Sequence, residues 1–444
     1  MGLRRRRTQG LRAWGGRGGG VAGRLVGVVQ PLLADGPLPV RIRAWDGSEV
    51  GPKAAPLLLI RSRRALRRLV WRPGELGLAQ AYVTGEIDVP GGVDDLTDGL
   101  RRIWHVAQSG PGGAVRLTPR QKVGALRTVA RVGALGPPPK APVTQARLRG
   151  GRHTTARDRA AIGHHYDLAS EFYALQLDPS MAYSCAYYAD ADATLEQAQR
   201  AKLDLVCRKL GLEPGMRLLD VGCGWGSLAL HAAEHYGAQV VALTISPSQV
   251  ELVTERIAER GLADRVEVRL QDYRDLTERD VDAVASIEMG EHVGEDHYPT
   301  YAATMLGALK PGGRLLLQQM SRRRDAAPGG GAFIERFIAP DMHMRPLSQT
   351  LGHLEAAGFE VRHVHALREH YVRTVADWLA AYESRYDEAV RLVGEEWARA
   401  WRLYLAGGSL AFAQGRMGVD QVLASRPLPS GDSGLPPTPT WHRE

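Results

Sequence analysis

The sequence predicts an α/β chain: a doubly wound sheet beginning near residue 160, preceded by a smaller α+β unit. Three observations carry this. From about 160 to 325 short apolar runs alternate with helical patterns, as parallel strands joined by crossover helices do. One run, "LLDVGCGWGSLAL", passes from apolar strand through a glycine turn into a helix. Between this half and the chain's start lies a basic, Pro/Gly-punctuated stretch, where a domain boundary belongs.

Bulk properties narrow the function. A chain of 444 residues predicts two or three domains, and 44% hydrophobic content is ample for packed cores. A net charge of +8 and a pI near 9.5 favour an anionic partner, either nucleic acid or a membrane surface. Three cysteines, Cys185, Cys207 and Cys223, form neither a disulfide framework nor a zinc pattern, which fits a reducing cytoplasm.

Residues 1–35 are basic and glycine-rich and are expected to be disordered. Arg24 interrupts their apolar patch and no cleavage site follows, so no signal peptide is expected. No run is long and apolar enough to span a bilayer, so membrane contact would be peripheral, on the inner face. Residues 36–106 form a small domain. "LPVRIRAWDGSEVG" reads as two strands about Asp46-Gly47, "PLLLIRS" as a third strand, and "RALRRLVW" as a helix. "PGELGLAQAYVTGEIDVPG" reads as a turn-rich connection. Residues 107–155 read as a basic linker with one helix at 118–133. Over 107–160 eleven Arg/Lys face a single acid, Asp158, a density suited to anionic headgroups.

Residues 156–428 form the large domain. Strands are expected at 217–222, 239–245, 266–272, 281–288 and 313–320, with a late strand at "FEVRHVHAL" among helices; residues 429–444 read as a disordered tail. In the glycine loop, Gly222, Gly224 and Gly226 let backbone approach a ligand closely. A dinucleotide fingerprint would need a glycine at 227, which is Ser, and an acid ending the next strand, which is absent. NAD is thereby disfavoured, and S-adenosylmethionine suits the G-x-G-x-G form.

With "HHYDLASEFYALQLDPSMAYSCAYY", "ALTISPSQ", "EHVG" and "REHYVRTVADW" set beside that loop, the sequence resembles the cyclopropane-fatty-acyl-phospholipid synthase family over residues 38–425. The resemblance implies a Rossmann-like class I methyltransferase sheet behind a lipid-binding domain. It implies S-adenosylmethionine chemistry on the cis double bond of a phospholipid acyl chain. Gly222, Gly224, Gly226, Thr244, Ile245 and Gln249 would hold the cofactor, with Tyr183 and Ser184 over its methionyl end and Gln271 and Asp272 facing its adenine. A helix N-cap is the competing role for Asp272. Cys185, Glu291 and Tyr371 match positions that hold a bicarbonate ion, the base of the reaction. His165 and Tyr166 match positions closing the substrate side. A homodimer follows from family precedent, and neither a metal nor nucleic acid is implied.

Two departures bear on the product. Gln318 replaces a histidine that helps hold the bicarbonate, and "EMGEHVG" puts Glu288 and Gly290 where a small residue and Phe are common. These features resemble the branch that forms 10-methylene acyl chains, whose saturation needs a separate reductase. Cyclopropane formation is the alternative. Methylation of a soluble molecule or RNA, and a non-enzymatic lipid-binding role, are the further readings. In the small domain, Arg63, Arg64, Arg67 and Arg68 beside Leu66, Leu69, Val70 and Trp71 suggest an interfacial helix or an internally packed one.

Overall fold

The computed structural model describes residues 20–29, 33, 36–108, 118–148, 150–166, 170–438 and 441. The chain divides into two compact units: residues up to Gln145 with Val393–Leu410, and Ala146–Leu392 with Ala411 onward.

The first unit is built on a four-stranded sheet of order β2-β1-β3-β4, from β1 (Arg41–Ala44), β2 (Glu49–Val50), β3 (Leu57–Ile60) and β4 (Ile87–Asp88). The β1–β2 hairpin turns at Asp46-Gly47 as expected, with Gly47 at φ +76°. The same turn organises a helix that the sequence did not announce. Asp46 and Ser48 accept the amides of Val21 and Ala22, each at 2.9 Å, and so cap the helix Val21–Val29. Val21, Ala22 and Val26 are buried, so this part of the basic N-terminal stretch is ordered by the core it helps form. Residues 1–19, 30–32 and 34–35 lie outside the described residues.

Two further expectations change here. The turn-rich connection contains the helix Glu75–Val83, and the helix Gly92–Gln108 follows. The basic linker carries its expected helix, Pro119–Arg131, opened by a Thr118/Gln121 capping box. Beyond that helix it is strapped to the first unit. Val132 and Ala134 join the core, Arg67 donates to the Ala134 and Leu135 carbonyls, and Arg68 donates to Lys140 O at 2.9 Å. A segment rich in proline has few N–H donors of its own, so its carbonyls need outside donors. The arginines of the helix Arg63–Trp71 supply them. Arg68 is buried and forks onto Glu86, so that side of the helix packs internally, while Arg63, Arg64, Val70 and Trp71 stay exposed. From the helix Glu395–Ala413, buried Arg399 donates to Tyr82 O, Ile87 O and the Asp88 carboxylate.

The second unit holds seven strands in the order β10-β11-β9-β8-β5-β6-β7. These are β5 (Arg217–Val221), β6 (Gln239–Thr244), β7 (Val266–Leu270), β8 (Val281–Ile287), β9 (Leu309–Arg322), β10 (Glu360–Ala366) and β11 (Met417–Ser425). The five expected strands are present, and β5 through β9 pair in parallel. β11 was not anticipated. It slots antiparallel between β9 and β10, buried along seven consecutive residues. A strand covered on both faces loses the alternation that would reveal it, and buried Asp420 and Gln421 interrupt its apolar run. The tail also departs from expectation at Trp441, which is buried against Leu205 and Leu423. Residues 439–440 and 442–444 lie outside the described residues.

Candidate active site

Strand order reverses at β5, whose neighbours β6 and β8 lead away in opposite directions. At such a switch point the strand ends leave a crevice. The cavity there is lined by Tyr183, Ser184, Gly222, Gly224, Thr244, Ile245, Gln249, Gln271 and Asp272 from the sequence-derived set, together with Glu288.

The glycines divide their work. Gly222 sits at φ +83°, and a Cβ there would lie 2.8 Å from Met289 Cγ. Among the described residues a Cβ on Gly224 would meet no atom within 4 Å, so this residue faces the cavity it lines. Gly226 corrects the expectation, because its Cβ would point at Val253 at 3.1 Å, and it does not line the cavity. Its role is close helix packing. Arg256 clamps the loop to the aromatic segment, donating to Trp225 O at 2.6 Å and to the Pro179 and Ser180 carbonyls.

At the end of β6, Thr244 Oγ1 donates to Gln249 Oε1. Asp272 takes the capping role: it accepts the Arg274 amide at 2.9 Å and the Arg274 guanidinium on both oxygens. Burial alone would raise its carboxyl; the Arg274 fork overrides this and holds it low. Gln271 Nε2 donates to Asp275 O.

Segment 181–188, "MAYSCAYY", has no ladder of its own, so side chains from elsewhere hold its backbone. Gln199 donates to the Ala182 and Ser184 carbonyls, Thr374 Oγ1 accepts Ala186 N, and His370 Nδ1 accepts Tyr188 N. Rings continue from the glycine loop outward. Trp225 packs on Tyr173 at 4.5 Å, Tyr183 on Trp378 at 5.2 Å, and Tyr371 on Phe412 at 4.3 Å between centroids. Tyr173–Tyr183 and Trp378–Tyr371 contacts complete the run.

Cys185, Gln318 and Tyr371, three of the expected catalytic residues, gather around the carboxylate of a fourth, Glu288. Glu288 Oε1 accepts Cys185 N at 2.7 Å and Gln318 Nε2 at 2.8 Å, and Glu288 Oε2 accepts the Tyr371 hydroxyl at 2.6 Å. Cys185 therefore serves through its backbone. Its thiol lies against the Ala186 and Leu367 carbonyls, and burial, then Glu288, push it far up and keep it protonated. Glu291 is fully buried; Met320 N donates to its Oε1 at 3.4 Å, and Oε2 has no partner among the described residues. Burial, then the Glu288 charge, raise its carboxyl. Gly290 is small for a local reason: a Cβ would strike Gln319 Oε1 at 2.1 Å, an oxygen that accepts the Tyr298 hydroxyl. Cys207 and Cys223 are buried core members, as expected. His165 and Tyr166 end the helix Thr155–Tyr166, and their side chains lie outside the described residues.

The sequence reading passed over Asp220 and Lys202. Asp220, the penultimate residue of β5, stands on the cavity wall; its Oδ2 is buried without a partner among the described residues, and burial pushes its carboxyl up to about 7. Lys202, also on the wall, donates to Ser184 Oγ at 2.8 Å. The signal for Asp220 was the acid of "LLDVG", one step before the loop. An orphaned acceptor beside a glycine cradle fits the cationic methionyl end of S-adenosylmethionine. A cation beside Asp220 favours its ionised form, so binding releases a proton below about pH 7. Affinity therefore rises with pH up to that point and levels off above it. Asp220→Asn should remove this dependence and cost about 1.5–3 kcal/mol of binding. Calorimetry across pH checks both, and an unchanged affinity would show that Asp220 does not meet the cofactor.

Comparison with known proteins agrees with this geometry. The mycolic acid cyclopropane synthetase family matches residues 153–422. A probable fatty acid methyltransferase of Mycobacterium tuberculosis is 36% identical over 422 residues, spanning 93% of this chain and 97% of the relative. The cyclopropane synthase MmaA2 from the same organism superposes with a TM-score of 0.58 at 33% identity, covering 61% of this chain and 98% of its own. The mycolic acid cyclopropane synthase CmaA1, solved with SAH and CTAB, gives 0.57 at 34% identity, covering 60% and 97%. A glycine cradle at the switch point, a full-length relative and a shared fold lead to one conclusion: the chain belongs to the mycolic acid cyclopropane synthetase family and is an S-adenosylmethionine-dependent C-methyltransferase.

Proposed function

We propose that the protein methylates the cis double bond of an unsaturated fatty acyl chain in membrane phospholipid, through a carbocation, and releases a 10-methylene acyl chain. The observation that carries this is the run of rings from Trp225 through Tyr183 and Trp378 to Tyr371, which ends on the Glu288 carboxylate. Aromatic faces favour a cation, and their bulk keeps water from it. The relatives named as fatty acid methyltransferases support the substrate class.

Held at the Gly222–Gly224 cradle, S-adenosylmethionine would supply an electrophilic methyl group to the alkene π pair, its sulfur keeping the electrons of the broken C–S bond and leaving as S-adenosylhomocysteine. The substrate is left with a cation on the adjacent carbon. A hydride shift moves the charge to the methyl-bearing carbon, and proton loss from the methyl then leaves an exocyclic methylene. Proton loss without the shift closes a cyclopropane. Saturating the methylene takes a separate reductase.

The membrane-facing element we propose is the helix Pro119–Arg131 rather than Arg63–Trp71, whose Arg67 and Arg68 are engaged internally. It has four basic residues, no acid and no buried residue, and Val123 and Leu126 are half exposed. Such a face suits anionic lipid.

One experiment tests both proposals. Purified protein is incubated with methyl-deuterated S-adenosylmethionine and oleoyl phospholipid vesicles, anionic or zwitterionic, and the fatty-acid esters are separated against standards. A labelled methylene chain, formed faster on anionic vesicles and slowed by Val123→Asp with Leu126→Asp, is expected. A labelled cyclopropane would overturn the product. No labelled lipid, with label on RNA or a small molecule instead, would overturn the substrate.

A further inference from the structure

We propose that Glu288 is the base of the reaction, built into the chain in the seat where the family resemblance calls for a bicarbonate ion, so that turnover needs no bicarbonate. This rests on the acyl-chain reading above.

The donors that would hold the ion are already taken. Cys185 N–H and Tyr371 O–H both end on Glu288, as does the Gln318 amide that replaces the usual histidine. A bicarbonate ion would have to displace this carboxylate. Glu291 does not offer a second seat, because it stands beside Glu288 as a buried carboxyl whose Oε2 meets no donor among the described residues. Glu288 itself lines the cavity, whereas its three donors do not. The carboxylate thus stands between the cavity and the groups that orient it.

The backbone supports this placement. Glu288 lies at φ +53°, a left-handed conformation uncommon for a residue with a side chain, and its amide is held by Gln318 O at 2.6 Å. A glycine there would rest without strain. The carboxylate is therefore held where the local chain does not favour it.

A buried chain of hydrogen bonds sets the direction of the Gln318 amide. Lys209, whose pKa burial lowers to about 7, donates from Nζ to Gln421 Oε1 at 2.7 Å. Gln421 Nε2 then gives to Gln318 Oε1 at 2.9 Å, leaving Gln318 Nε2 for Glu288. Gln421 stands directly across from Gln318 in the β9–β11 register. Lys209 and Gln421 are positioning residues, reaching the site only through Gln318.

In the step, a C–H bond of the substrate cation breaks and its proton passes to a Glu288 oxygen. The electron pair of that bond becomes the new C=C bond, or the ring bond if no hydride has shifted. The carboxylate becomes a carboxylic acid, and no oxidant or reductant is consumed.

The full-length protein is tested with and without bicarbonate. Wild-type turnover in carbon-dioxide-depleted buffer should stay within about twofold of turnover with added bicarbonate. Glu288→Gly should lower turnover by about 10³-fold and recover part of it with bicarbonate or formate. Carbon-13 NMR of labelled bicarbonate reads the seat without turnover: Glu288→Gly should bind the ion and wild type should not. Should Glu288→Gly fail to fold, Glu288→Gln keeps the seat filled, and it should lose activity without rescue while binding S-adenosylhomocysteine normally. Bicarbonate bound by wild type, or wild-type activity that depends on it, would overturn the proposal. A wild type inactive on every acyl chain would refute the acyl-chain reading, and the NMR comparison would still decide who occupies the seat.

Discussion

Gly222→Ala should weaken S-adenosylmethionine binding by roughly 10²-fold or more. Two costs combine. At φ +83° a residue with a Cβ meets a left-handed penalty of about 1–2 kcal/mol. The Cβ would also lie 2.8 Å from Met289 Cγ, and overpacking of that kind costs about 1–3 kcal/mol. The loop can relieve both only by moving, yet Gly222 and Cys223 each donate their amide to Leu243 O, at 3.0 and 2.9 Å. Movement that breaks those bonds opens the cradle itself. Titration calorimetry with S-adenosylhomocysteine measures the loss. Gly226→Ala is the control: its Cβ meets Val253, so thermal stability should fall more than affinity. An affinity for Gly222→Ala within twofold of wild type would refute the cradle.

Lys202→Met should shift the acid limb of the pH–rate profile upward by about one unit and lower turnover near neutrality about tenfold. The Lys202 ammonium is fully buried and faces Glu288, Asp178, Cys185 and Asp220. Burial raises the Glu288 carboxyl, while Tyr371, Cys185 N–H, Gln318 and then Lys202 pull it down. Removing the positive charge leaves burial less opposed, so the carboxylate holds its proton to higher pH. A base must be ionised to act, so activity appears only at that higher pH. Ser184→Ala, which deletes the hydroxyl that accepts Lys202 and leaves the charge, should move the limb far less. An unmoved limb in Lys202→Met would mean that the ammonium does not set the state of the base.

Much of the site was legible from the chain because its residues fall at strand ends. Thr244 ends β6, and Gly222, Asp272 and Glu288 follow β5, β7 and β8, so locating the strands located the crevice. Asp220 escaped notice since an acid near the end of a strand is also an ordinary feature of such loops. Gln421 escaped for a stronger reason: its strand was not recognised, being buried on both faces and interrupted by polar residues. Gly226 illustrates the converse, for a glycine in a ligand-binding motif served packing instead.

By itself the sequence determined the parallel sheet, the glycine loop after β5, and the choice of S-adenosylmethionine over a dinucleotide. These follow from local patterning, since strand runs, turns and caps are properties of neighbouring residues. The tertiary structure alone decided who meets whom. It turned Cys185 into a backbone donor, set Glu288 under three donors and placed Gln421 opposite Gln318. It also folded the basic linker onto the arginines of Arg63–Trp71. Gln318 and Gln421 lie 103 residues apart, and Cys185 and Glu288 are separated by the same distance along the chain. Such pairings are set by strand register and by the demand that buried polar groups find partners, and neither has a period that a linear pattern can show.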